Sequence, residues 1–198
     1  MHKSNHLSKR VTQQIFNAFD FAKAKGTELT HFLVINLKDT IQQSAYTAVK
    51  KLFHKFGDWL AYKRKKGHTT ARPTYAYTLE NPSDNIHLNW CVHIPTDLTE
   101  EFMEKIPKWM AKIQGSVDAD TVWCSSINQS RYKSPANYMV KGTDPEFIEY
   151  FFLRPLYDEK GPQGPVFGRR GGVSHSLGPK GHIGCEFQSY GSQAKKTF

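Results

Sequence analysis

The sequence predicts an α+β fold, with helices on one face of an antiparallel sheet and the other face open. Three observations carry this. Short apolar or alternating runs at 31–37, 74–80, 87–94 and 118–127 read as strands. Two long segments with apolar residues three and four positions apart fall between the first and second strands and between the third and fourth. A loop of turn formers, Asn81-Pro82-Ser83-Asp84-Asn85, joins the second strand to the third. The chain has 198 residues, 38% of them apolar and 13% aromatic. That fills one core, and two large domains are excluded.

In chain order, Val11, Ile15, Phe16 and Phe19 give a first helix that stops at Gly26. HFLVINL, His31 to Leu37, is the first strand. Gln42 to Lys66 is a long helix with Tyr46, Val49, Leu52, Phe53, Phe56, Trp59 and Leu60 on one side. Its other side carries Lys50, Lys51, Lys55, Lys63, Arg64, Lys65 and Lys66, either a solvated face or one that contacts phosphate. Thr74–Glu80 and His87–Ile94 form a hairpin. Asp97 to Ile113 is an amphipathic helix that Pro107 should kink. Ser134 caps a short helix that starts at Pro135 and ends by Gly142. Asp144-Pro145 starts another, through Phe152. The core order β-α-β-β-α-β is that of the split βαβ, ferredoxin-like arrangement.

From Lys160 the composition changes. Nine of the 14 glycines fall in the last 39 residues, and six Lys or Arg oppose only Glu186 there. The division expected is a domain over 1–159 and a basic Gly/Pro-rich arm over 160–198, either flexible or ordered by contact. The whole chain carries a net charge of +9, which draws it to polyanions. Cys91, Cys124 and Cys185 are too few for a disulfide framework and lack zinc-ligand spacing. No apolar run is long enough to span a membrane and no secretory leader is visible, so the expectation is a soluble, cytoplasmic protein without membrane partners.

Alternation sorts the hairpin into two faces. Leu88, Trp90, Val92 and Ile94, with Tyr75, Tyr77 and Leu79, must face the helices. His87, Asn89, Cys91 and His93, with Ala76, Thr78 and Glu80, then share the other face. The turn brings Glu80 and His87 together across the strands. Glu80, His87 and Asn89 offer two kinds of oxygen donor and one imidazole, a set suited to Mg²⁺ or Mn²⁺. His93 is six residues along the strand from His87, about 20 Å, too far to join that set, and reads as a supporting or DNA-contacting group.

A second group lies on the short capped helix, Tyr138-Met139-Val140-Lys141, where residues i and i+3 share a side. A phenol is a poor nucleophile near neutral pH, with a reference pKa of about 10. A metal-polarised phosphate lowers the barrier to its attack, and a nearby Lys can hold phosphate or steady developing charge. Taken alone, Y-x-x-K says little, since a tyrosine on such a helix usually packs.

Taken together, the strand His31–Leu37, the His87-Leu88-Asn89 triplet and Tyr138-Met139-Val140-Lys141 resemble the three ordered motifs of the HUH endonucleases, the rolling-circle replication initiator (Rep) family. The resemblance spans roughly residues 30 to 150. The stretch GRRGGVSHSLGP, 168–179, also looks like the C-terminal piece of small bacterial proteins of that type. The resemblance implies that Glu80, His87 and position 89 bind the metal, and that Tyr138 nicks single-stranded DNA or an origin hairpin through a 5′-phosphotyrosine. The sequence departs from the family at Asn89, where the motif has histidine; an amide carbonyl still serves Mg²⁺ or Mn²⁺. Arg131, Lys133, Arg169, Arg170 and Lys180 would follow the DNA backbone. No P-loop is present, so unwinding would fall to a host helicase. The competing expectations are a non-catalytic or degenerate single-stranded nucleic-acid binder of the same fold, and a relaxase or transposase relative. An RNA recognition motif fits poorly, because its stacking aromatics would fall on the core face here.

Overall fold

Each apolar stripe in the chain finds a sheet face to bury. In a computed structural model, which describes residues 2–37, 42–127 and 134–178, β1 (Lys3–Ser4) precedes α1 (Lys9–Ala24), started by Ser8, whose Oγ accepts from the Val11 amide at 3.4 Å. β2 (His31–Asn36), α2 (Gln42–Lys65), β3 (Tyr75–Glu80), β4 (His87–Val92), α3 (Thr99–Gln114) and β5 (Val122–Ser126) follow. Then come α4 (Pro135–Met139), α5 (Arg154–Lys160), β6 (Val166–Phe167) and β7 (Gly171–Val173). The protein is α+β, with a five-stranded sheet in the order β5-β2-β4-β3-β7 and every neighbouring pair antiparallel.

The hairpin forms as its alternation predicts, with Glu80 opposite His87 and Tyr77 opposite Trp90. One face of the sheet packs on α2 and α3 through Leu33, Leu79, Leu88, Trp90, Leu52, Phe56, Phe102 and Ile106. The α3 helix runs unbroken through Pro107 and ends at Gly115 in a left-handed conformation. The helix expected from Asp144 is only a single tight turn, Pro145–Phe147, and α5 follows it.

The expectation of an open second face is overturned. Phe32, Ala76 and Cys91 on that face are buried under Ile15, Phe16, Phe21 and Ala22 of α1, Met139 of α4, and Val140 and Phe151. The physical reason is the apolar stripe of α1. A buried Phe is worth about 2 kcal/mol over an exposed one, and Ala76 and Cys91 are small enough to let the helix settle. The site therefore lies between layers.

Over its described part, the segment after 160 is ordered by contact with the rest of the chain. β7 adds to the sheet edge, pairing Val173 with Ala76 and Gly171 with Thr78, and β6 pairs with β1. Glycine in 161–178 serves close approach. A Cβ on Gly164, at φ +65, would stand 1.9 Å from the Asn81 carbonyl oxygen, and one on Gly171 would stand 2.9 Å from Leu7. Buried Val166 and Leu177 anchor the segment.

Candidate active site between β3, β4 and α4

Glu80 closes β3 and His87 opens β4, directly opposed in register. The two join through His87 Nε2 and Glu80 Oε2, 3.1 Å apart. On its other side the ring donates from Nδ1 to the Asn85 carbonyl at 3.0 Å, which leaves Nε2 as the nitrogen that faces the carboxylate. Ser134 Oγ accepts from the Asn137 amide at 3.1 Å and Pro135 takes the first helical position, so α4 starts where the sequence says it should. Buried Ala136, Met139 and Val140 seat α4 and the residue after it on the second face of the sheet. That seating carries Lys141 inward.

Lys141 is 4% exposed, and its ammonium lies 2.5 Å from Glu80 Oε2 and 3.8 Å from the centre of the Tyr138 ring. A single cation thus touches the acid of the hairpin and the phenol of the helix. Burial pushes the Glu80 carboxyl up, but the hydrogen bond with His87 and the Lys141 charge outweigh it and hold the group below the usual carboxylate range. Burial holds Lys141 below the usual lysine range, against the pull of Glu80 and with help from Lys160 and Arg170. Tyr138 is half-buried, edge-on to Phe32 at 5.7 Å.

Asn89 lies on the same sheet face and is fully buried. Neither its Oδ1 nor its Nδ2 has a hydrogen-bond partner among the described residues, and the same holds for Glu80 Oε1 and Thr78 Oγ1, the latter opposite Asn89 in register. Each unmet buried polar atom costs about 1–3 kcal/mol. Such atoms gathered on one patch of the sheet face make it the candidate site. Glu80 Oε1, Asn89 Oδ1 and His87 Nε2 suit a hard divalent cation, although Lys141 competes for the same carboxylate. Among the described residues no group of three His, Cys, Asp or Glu could hold a metal, so a cation here would need the amide of Asn89 as a third donor.

The remaining expected residues are placed differently. Arg170 is buried and does not face solvent or a strand of DNA. Its guanidinium donates to the carbonyls of Ser4 at 3.1 Å, Gly164 at 2.6 Å and Gln163 at 2.9 Å, clamping β1 to the segment before β6. Burial pushes its pKa down to about 10 against the pull of Glu80. Arg169 is exposed, donating from Nε to the Gly171 carbonyl at 3.2 Å. His93 accepts or donates nothing to the site; its Nδ1 meets the Glu28 carbonyl at 2.7 Å. Arg131, Lys133 and Lys180 lie outside the described residues.

Reasoning confined to the hairpin and Y-x-x-K missed a feature beside the phenol. Phe32, Val34, Trp123, Ile127, Pro135 and Tyr138 line an apolar cavity of about 180 Å³. Alternation applied to β2 and β5 as well would have put Phe32, Val34 and Trp123 on the face of Glu80. Comparisons with protein-family models, with curated proteins and with solved structures return no match to this chain.

Proposed function

We propose that this protein is a metal-dependent single-stranded DNA endonuclease and strand transferase of the HUH type, with Tyr138 as its nucleophile and a role in rolling-circle replication of a plasmid or phage. The observation that carries the reading is the Lys141 ammonium set against both Glu80 and the Tyr138 ring. Residues from β3, β4 and the segment starting at α4, distant in sequence, meet within one buried cluster. The order β5-β2-β4-β3 supports the ferredoxin-like, split βαβ arrangement, which seats these elements in that relation.

Glu80, His87 and Asn89 would hold Mg²⁺ or Mn²⁺, which supplies Lewis-acid polarisation of the scissile phosphate. Tyr138 Oη attacks phosphorus, the bond to the 3′ oxygen breaks, and the 5′ phosphate stays on the tyrosine. The phenolic proton is given up and the departing 3′ oxygen takes one, so one phosphodiester replaces another and the step can reverse. The Lys141 ammonium favours negative charge on the ring it covers. With Lys160 paired to Glu159, Lys141 and Arg170 still outnumber Glu80 in charge around the site, which attracts a phosphate. The substrate is single-stranded DNA or an origin hairpin, opened by a host helicase in the cytoplasm.

The test is incubation with labelled single-stranded oligonucleotides and Mn²⁺. A covalent adduct on a denaturing gel, abolished by chelator and by Tyr138→Phe, is the expected result; no adduct over a broad oligonucleotide set rejects the activity. A second reading, a binder of this fold that no longer cuts, is favoured by the ammonium seated on Glu80 and by Asn89 in place of histidine. It predicts retention of oligonucleotides without any adduct.

A further inference from the structure

We infer that the cavity beside Tyr138 is a stacking pocket for one nucleobase of the strand, with Trp123 as its principal wall; the substrate class rests on the nuclease reading above. The second face of the sheet is otherwise closed over by α1, α4 and residues up to 153. Trp123 is 48% exposed there, in an edge strand. A large aromatic left open at the lip of a cavity marks a contact surface. Phe32 stands edge-on to Trp123 at 6.0 Å and to Tyr138 at 5.7 Å, which props both rings at the cavity walls.

Size and chemistry select the occupant. An engineered cavity of about 150 Å³ takes benzene, so about 180 Å³ with an open mouth has room for one flat heterocycle and little else. All six lining residues present apolar or aromatic surface, which grips the π-face of a base. The pocket is also in line with the reactive groups. Val34 pairs with Trp123 on one side and with Asn89 on the other, so Trp123, Val34, Asn89 and Thr78 form one row across the sheet. Trp123 and Asn89 are two strand spacings apart, about 10 Å. A short piece of single strand spans that gap, its phosphate toward Glu80 and His87 and its base toward Trp123. The lining side chains carry only two polar groups, the Tyr138 hydroxyl and the Trp123 indole N–H, so the pocket grips a base chiefly by its face.

The experiment takes the full chain and the oligonucleotide it retains most tightly from a random single-stranded pool. One abasic residue is stepped along that oligonucleotide, and affinity is read by fluorescence anisotropy for wild type, Trp123→Ala and Trp123→Phe, each checked for an unchanged melting temperature. One abasic position is expected to weaken wild-type binding about tenfold, within the range for base–aromatic stacking. Trp123→Ala loses about the same on the intact strand and no longer responds to that abasic position, and Trp123→Phe restores most of both. An equal abasic penalty in wild type and Trp123→Ala, or no sensitive position, overturns the pocket even when the Tyr138 adduct forms. The converse result, an abasic penalty that vanishes in Trp123→Ala with no adduct on any strand, keeps the pocket and rejects the nuclease. Absence of any strand binding overturns both.

Discussion

The two faces of the central sheet are built on different terms. Beneath α2 and α3, Trp90 is enclosed by Phe53, Phe56, Tyr75 and Phe102 with ring centres 5.3–6.0 Å apart. At its border Trp59 donates to Glu101 at 2.9 Å, and among the described residues the one unmet polar atom of these rings is the Trp90 indole nitrogen. Beneath α1 and α4 an apolar core gives way, within the same strands, to Glu80, Asn89, Thr78 and Lys141. Several of these keep buried atoms with no partner among the described residues. One face is packed with apolar rings, and the other gives up some stability to bury a polar cluster.

Trp90→Ala should do the most damage, about 4 kcal/mol of unfolding free energy by denaturant titration, because a fully buried indole leaves a void among rigid rings. A loss under 2 kcal/mol would mean that the first face is loosely packed. Lys141→Met should cost about 3 kcal/mol by stranding the Glu80 carboxylate in the interior. Adding Glu80→Gln should recover part of that loss, and strictly additive effects would deny the coupling.

The faces should also fail at opposite ends of the pH scale, in chelator-treated protein. The Glu80 carboxyl is held low in the folded state, so its contribution is present above the unfolded carboxylate pKa, about 4, and is lost as pH falls through the folded value. Burial pushes Tyr75 up to about 12, against Arg169 and with Tyr46. Its contribution is whole below about 10, the unfolded tyrosine value, and fades as pH climbs toward 12. Melting temperature against pH should lose part of its acid slope in Glu80→Gln and part of its alkaline slope in Tyr75→Phe; unchanged slopes contradict the assignment.

The smallest effect sharpens the contrast most. Asn89→Leu replaces an unpaired buried amide with an apolar group of the same branched shape, and should raise stability by about 1 kcal/mol. The same variant should erase any thermal shift produced by Mn²⁺. A destabilised Asn89→Leu would show that the amide has a structural partner.

Much of this was legible before any coordinates. The alternation of Leu88, Trp90 and Val92 against His87 and Asn89 fixed the hairpin's faces, and the turn formers between Glu80 and His87 fixed their meeting. Ser134-Pro135 marked α4 because capping is local chemistry. What failed was long-range. Ala76 and Cys91 are too small to announce a second core, so nothing in β3 or β4 says that α1 covers them. Arg170 looks like a surface cation until the carbonyls of Ser4, Gln163 and Gly164 converge on it. Gly171 and Gly172 disfavour a strand and Val173 alone does not announce one, so it is the bare edge of β3 that makes the segment a strand.

That late-arriving strand has a consequence for how the chain can be shortened. β7 screens a ladder of amides and carbonyls on β3 that would otherwise invite a neighbour's backbone. A version stopped at the change in composition would keep Glu80, His87, Asn89, Tyr138 and Lys141 and yet tend to stick to copies of itself. In this protein the glycine-rich segment works as a hem that keeps the fabric from joining to the next piece.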